Sequence, residues 1–319
     1  MKWLAFAIGI IFAVVTPAMA QTYPGRPIRL VSPYAPGGGT DIWARIIGPR
    51  LSESLGQSVV VDNRPGAGGT VGTEMVARSR PDGYTLLLGS PGPLTVSPSL
   101  RSLPYNTLRD LAPIALISQV ADVLAVHPSL PVKSVRELIA FAKTHREKLT
   151  FSSSGAGGSS HLSGALFNVM AGVDMLHVPY RGTGPAVAAL VSGEVTLAFA
   201  NALTILPYVN SGRLRGIAVT SVTRVSAVPD LPTVAEAGVP GYRSGVWYGV
   251  LAPAGTSKEI INQLNQALTK IARLPALREQ FALQGAELVG SSPEQFAEHI
   301  KSETARWAKT IREANITAN

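Results

Sequence analysis

The 319-residue chain contains no cysteine. That excludes disulfides, thiol nucleophiles, thiolate metal sites and a lipid-modified cysteine anchor. The five histidines, His127, His145, His161, His177 and His299, form no H-x-x-x-H or H-E-x-x-H arrangement. A zinc centre therefore has no spacing to rest on. There is no G-x-S-x-G elbow; residues 89–92 come nearest and lack the frame. There is no G-x-x-x-x-G-K-[ST] phosphate loop, and the glycines at 155 and 157 complete no dinucleotide fingerprint. Beyond the first twenty residues no apolar run is long enough to cross a bilayer. Basic residues outnumber acidic ones, 28 to 20, but they are scattered, with no basic run and no basic–aromatic alternation. Nucleic acid is not the expected partner; mild steering of small anions is. No enzyme chemistry, cofactor or metal is expected.

What is present begins with an export signal. Lys2 precedes an apolar stretch over residues 3–15, and Ala18-Met19-Ala20 is an A-x-A cleavage pattern before Gln21. Residues 1–20 read as a signal peptide, and the mature chain is expected to be soluble and periplasmic. About 300 residues suffice for two lobes with separate cores.

Two stretches organise the rest. Residues 28–31 are strand-like and feed Pro36-Gly37-Gly38-Gly39, after which Thr40 and Asp41 open a helix to residue 55. Residues 150–153 repeat the device: Ser154-Gly155-Ala156-Gly157-Gly158 leads through Ser160 and His161 into a helix to residue 171. Glycines let a ligand approach the backbone, and unpaired N–H groups at a helix start favour an anion. Two such corners far apart in sequence suit a site shared between lobes. Asp41 would repel an anion, so it is read as a brace for its own corner. His161 either donates to a bound carboxylate or fixes its loop. Tyr34, Tyr180 and Asn201 end strands or open loops on the same side, as either polar contacts or rim residues. Ser90 and Gly182 sit at two further corners, and Arg181 is either a carboxylate partner or solvated.

Strands and helices alternate over residues 28–89 and again over residues 150–220. This predicts α/β lobes with mostly parallel sheets and a ligand beyond the strand C-termini. Residues 111–125 read as one strand leaving the first lobe. Residues 231–238 read as a small helix, and residues 242–251 as a strand returning. The crossings near 118–123 and 241–247 are hinge candidates. The expected division is 21–120 plus 245–319 for lobe one and 121–244 for lobe two. The last helix, with Phe296, Ile300, Trp307 and Ile311 near helical spacing, is expected to dock on the lobe-one sheet.

At these motifs the chain resembles the Bug family, the extracytoplasmic receptors of tripartite tricarboxylate transporters. The likeness runs through Pro33-Tyr34-Ala35-Pro36-Gly37-Gly38-Gly39-Thr40-Asp41, Asp62-Asn63-Arg64-Pro65-Gly66-Ala67-Gly68-Gly69, Pro81-Asp82-Gly83-Tyr84, Ser153-Ser154-Gly155-Ala156-Gly157, Tyr180-Arg181-Gly182 and Leu231-Pro232-Thr233. Arg181 stands where the family often has lysine. The resemblance implies a type II periplasmic-binding-protein fold of two α/β lobes. It implies a small carboxylate held by backbone N–H groups, hydroxyls and waters, and delivery to membrane permease subunits; the receptor is expected to be a monomer. Two readings stand beside it: a ligand sensor feeding a signalling protein such as a sensor kinase, and an exported hydrolase.

Overall fold

The computed structural model describes residues 23–145 and 149–316. The signal peptide expected at residues 1–20 lies outside the described residues. Lobe one opens with β1 (Ile28–Ser32), α1 (Gly39–Leu55), β2 (Val59–Asn63), α2 (Thr70–Ala77) and β3 (Thr85–Gly89). β1 lies between β2 and β3 and runs parallel to both. Leu30 and Val31 point to opposite faces and both are fully buried, because helices cover the sheet on each side. A wide-turned helical segment, Gly92–Val96, follows β3 and runs into α3 (Ser97–Leu100). Then come α4 (Thr107–Asp110) and β4 (Leu111–Val120).

The apolar run expected as one strand is two. β4 stops at Val120, and β5 (Asp122–Val126) starts in the other sheet, with Ala121 between them. Lobe two continues with α5 (Val135–Thr144), β6 (Thr150–Ser153), α6 (Ser159–Ala171), β7 (Leu176–Pro179), α7 (Thr183–Val191), β8 (Leu197–Asn201), α8 (Ala202–Asn210) and β9 (Arg215–Val219). The chain returns through β10 (Val246–Pro253), then α9 (Lys258–Ala272), α10 (Pro275–Ala282), β11 (Ala286–Leu288) and α11 (Pro293–Glu313).

The sheets have orders β11-β4-β10-β3-β1-β2 and β7-β6-β8-β5-β9. They are mixed rather than mostly parallel. The β2-β1-β3 and β7-β6-β8 portions are parallel, and the strands that carry the chain between lobes pair antiparallel. β4 and β10 run side by side, with Val120 opposite Val246. Both crossings therefore leave lobe one at one place. Thr220 joins them: its Oγ1 accepts from Asp122 N–H at 3.2 Å and donates to Ser244 O at 3.1 Å.

Two local expectations change. Residues 231–238 form turns, not a helix. A bridge from Val219 fixes Thr233, and Gly238 at φ +135° ends the segment before a second turn can close. The returning strand starts at Val246 rather than 242, because Tyr242 turns inward and its hydroxyl donates to Ser163 O at 2.9 Å.

The last helix is also more than a lid on lobe one. Ser292 and Gln295 start it with a reciprocal capping box, and Pro293 fits its first turn. Phe296 and Ile300 pack with Val31, Leu87, Leu116 and Trp247 of the first sheet. Trp307 and Ile311 pack with Leu124, Phe151, Phe167 and Phe199 of lobe two. α11 thus spans both cores, and docking on the lobe-one sheet describes only its first half.

Candidate functional site

Three helix starts meet where the lobes face each other. α1 begins after Gly38, which is extended and gives no side-chain cap. Its backbone ladder starts with Ile42 N–H to Gly38 O, so the preceding amides lack intrahelical partners. α6 repeats this after Gly158, with Leu162 N–H to Gly158 O as its first bond. α7 does so after Gly182, starting with Ala186 N–H to Gly182 O. Each helix start adds partial positive charge to the common space.

The braces of these corners point away from that space. Asp41 accepts from Gly37 N–H at 2.9 Å and from Arg45 Nε at 3.0 Å. Burial alone would raise its pKa, but the Arg45 and Gly37 hydrogen bonds outweigh it and hold the carboxyl below its ordinary value. Gly157 N–H donates to His161 Nδ1 at 3.2 Å, and the His161 ring stacks on His177 at 4.0 Å. Burial first, and His177 second, push the His161 pKa down to about 3. His161 is therefore a neutral acceptor that fixes its loop.

The lobes touch mostly backbone against backbone, with one serine hydroxyl taking part. Ala35 N–H donates to Arg181 O at 3.0 Å, and Ser97 Oγ to Gly157 O at 3.2 Å. A Cβ on Gly155 would lie 3.1 Å from Gly68 Cα, and one on Gly184 2.9 Å from Gly37 C and Pro36 O. Behind this seam lies a cavity of about 20 Å³, room for about one water. Tyr34, Gly38, Gly39, Thr40, Ser90, Asp122, Ser154, Ser159, Ser160, Thr183, Asn201, Val246 and Tyr248 line it. No Lys, Arg or His is among these residues.

Of the residues singled out in the sequence, Tyr34, Gly38, Gly39, Thr40, Ser90, Ser154, Ser160 and Asn201 line the cavity. Pro36, Gly37, Gly155, Gly157 and Gly182 do not; they form the seam, where main chain meets main chain except at Gly157, which meets the Ser97 hydroxyl. Asp41 and His161 are braces. Tyr180 turns outward, and its hydroxyl donates to Glu194 Oε1 at 2.7 Å. The sequence reading missed Asp122, Ser159, Thr183, Val246 and Tyr248. Ser159 and Thr183 were within reach, as first residues of helices that follow glycine corners. Asp122 carried a signal too, as the sole charge inside the apolar run 111–126.

The lining is polar and mostly donor-rich. Ser90 Oγ is buried without a hydrogen-bond partner. Asn201 Oδ1 accepts from Thr204 N–H and Oγ1 at 3.1 and 2.9 Å, which leaves its NH2 group for the cavity side. Tyr34 donates to Gly68 O at 2.9 Å, and burial pushes its pKa up to about 12. Asp122 is the exception. It is 2% exposed, and its Oδ2 accepts only a long bond from Ser163 Oγ at 3.4 Å. Burial raises its pKa to about 7 against the weak opposing pull of Ser163. Among the described residues no cluster of three or more His, Asp or Glu could hold a metal ion.

The depressed His161 pKa makes a stability prediction. The folded state disfavours protonated His161. Its contribution is therefore present above the unfolded value of 6.5 and is lost as pH falls toward 3. Between pH 6.5 and 5 the loss should be about 2 kcal/mol. Asp122, with its raised pKa, acts oppositely and loses stability as pH rises from 3.8 toward 7. Urea denaturation of His161→Gln against wild type isolates the first effect. The variant's stability should fall less on acidification, and parallel curves would reject the assignment.

A profile described as "Tripartite tricarboxylate transporter family receptor" matches residues 43–316. Protein BugT of Bordetella pertussis is 41% identical over 318 residues, covering 98% of each chain. The solved structure of R. palustris Rpa4515 with adipate superposes with a TM-score of 0.90 at 39% identity, covering 92% of this chain and 99% of that one. MatC from Rhodopseudomonas palustris with bound malate gives 0.87 at 32% identity, covering 91% and 100%.

Proposed function

Because this chain belongs to the tripartite tricarboxylate transporter receptor family, whose members are periplasmic solute receptors and not enzymes, we propose that it closes its two lobes on a small carboxylate and delivers it to membrane permease subunits. The observation that supports this most is the convergence of the α1, α6 and α7 starts on one cavity without a basic side chain. Backbone dipoles satisfy a carboxylate without leaving a protein charge buried and unpaired when the site empties. The adipate and malate held by two relatives are guests of this class.

Residues 1–20 export the chain. Residues 21–120 with 245–319, and residues 121–244, are the bodies that move about the paired crossings. The cavity of about 20 Å³ is far too small for either acid, so capture needs the lobes to part and re-close around the guest. Backbone N–H groups recognise the carboxylate itself. Side chains such as Val246, Tyr248 and Asn201 then set which carbon skeleton fits.

Thermal-shift screening with dicarboxylates, hydroxy acids, amino acids and aromatic acids tests the reading. A guest that binds only the folded protein should stabilise it by about 2.7 kcal/mol at a hundredfold excess over Kd. No shift with any acid would overturn it.

A further inference from the structure

Asp122 is out of place in a site for anions. It is the one carboxyl group lining the cavity, at the start of β5 and opposite Asn201 of β8. Among the described residues no cation answers it. From α6 it meets Ser163. His161 on that helix spends Nδ1 on Gly157 and stacks on His177. From the returning segment it faces Tyr242, whose hydroxyl donates to Ser163 O and contacts Ser244 Oγ, and from β10 Tyr248. From the β9 side its neighbour is the uncharged Thr220. An ionised Asp122 beside a bound carboxylate would put two like charges in a space closed to water. Such a pair resolves by holding a proton.

We propose that Asp122 is the proton-binding member of this site: a carboxylate guest is captured together with one proton, and neutral Asp122 donates it as a hydrogen bond to the guest. The proton comes from solvent and returns to it on release. The inference rests on the carboxylate reading above. The relatives' guests, adipate and malate, carry no amine that could serve as a counter-charge instead. Burial in the closed arrangement raises Asp122 to about 7, so at neutral pH the proton is within easy reach. Above that value each pH unit should weaken binding about tenfold, since one proton must be taken up.

Calorimetry on the full mature protein tests this, with malate, adipate, succinate and paired amino acids as probes. Titrations at pH 7, 8 and 9, in buffers of different ionisation enthalpy, count the protons taken up. Those dicarboxylates are fully ionised in this range, so the proton counted is the protein's. Wild type should take up close to one proton per guest at pH 9 and lose about fiftyfold in affinity from pH 7 to 9. Asp122→Asn keeps the size and a donor, so it should bind with no uptake and no pH dependence. A guest bound by wild type without proton uptake overturns the inference alone. So does uptake that persists in Asp122→Asn, or an amino acid whose affinity rises with pH, which would make Asp122 an anionic seat for an amine. If no acid binds wild type at any pH, the carboxylate reading falls and takes this inference with it. Should Asp122→Asn fail to fold, the wild-type proton count still decides.

Discussion

Gly184→Val should reduce affinity for the carboxylate guest at least a hundredfold while both lobes keep their folds. Gly184 lies in the first turn of α7, where its φ is not left-handed and a side chain is conformationally allowed. The nearest atoms to an added Cβ all belong to lobe one: Gly37 C and Pro36 O at 2.9 Å, and Gly37 O at 3.1 Å. These are backbone atoms and cannot rotate away. With the lobes parted as proposed there is room for the valine; in the arrangement described there is not. Propping the seam also breaks the neighbouring Ala35 to Arg181 bond. A hundredfold loss corresponds to about 2.7 kcal/mol taken from the closed, liganded form. Gly184→Ala should give a smaller loss of the same sign. Calorimetry gives the affinity, small-angle scattering the extent of closure, and the melting point of the unliganded protein shows that the fold survives. Unchanged affinity would mean that the guest is held without the seam closing.

Trp307→Ala should cost about 3–5 kcal/mol of stability, the range for emptying a large buried aromatic site. Trp307 is fully buried in the lobe-two core although it belongs to a helix that starts on lobe one. The Arg306 guanidinium covers its ring at 4.4 Å, adding a cation–π contact. Its indole N–H has no partner, so the side chain contributes by packing rather than by hydrogen bonding. A cavity there loosens the far half of α11 and leaves Phe296 and Ile300 docked. Urea denaturation of the mature protein followed by tryptophan fluorescence, with Trp43 and Trp247 remaining as probes, should show a lower midpoint. Hydrogen exchange should show amides of residues 304–313 opening before those of residues 293–302. A loss under 1 kcal/mol would show that the helix end adds little to lobe two.

Much of this architecture can be read from local chemistry. A strand, a glycine turn and a hydroxyl before an apolar helix are local events, and the α1 and α6 corners formed as their residues dictate. The chain changes sheets at Ala121, within the first hinge candidate, and β10 begins at Val246, within the second. What local chemistry cannot tell is which glycine faces a guest and which faces another backbone. Gly38 and Gly39 line the cavity, while Gly37, one residue away, meets Gly184. Gly155 looked like a donor to the guest. It sits against Gly68 instead, so a side chain there would wedge the lobes rather than cover an amide. The split of one apolar run into β4 and β5 is of the same kind, because Leu116 and Leu124 are equally apolar but belong to different sheets. The 3.6-residue spacing of α11 marked its buried stripe, and periodicity alone carries no record of which core each turn meets.

The seam of main chain against main chain has an evolutionary corollary. On the reading proposed above, closure runs through main-chain atoms that glycines such as Gly155 and Gly184 allow to approach, while discrimination among guests falls to a few side chains behind it. Paralogues can therefore exchange those side chains and acquire new diets without redesigning the latch.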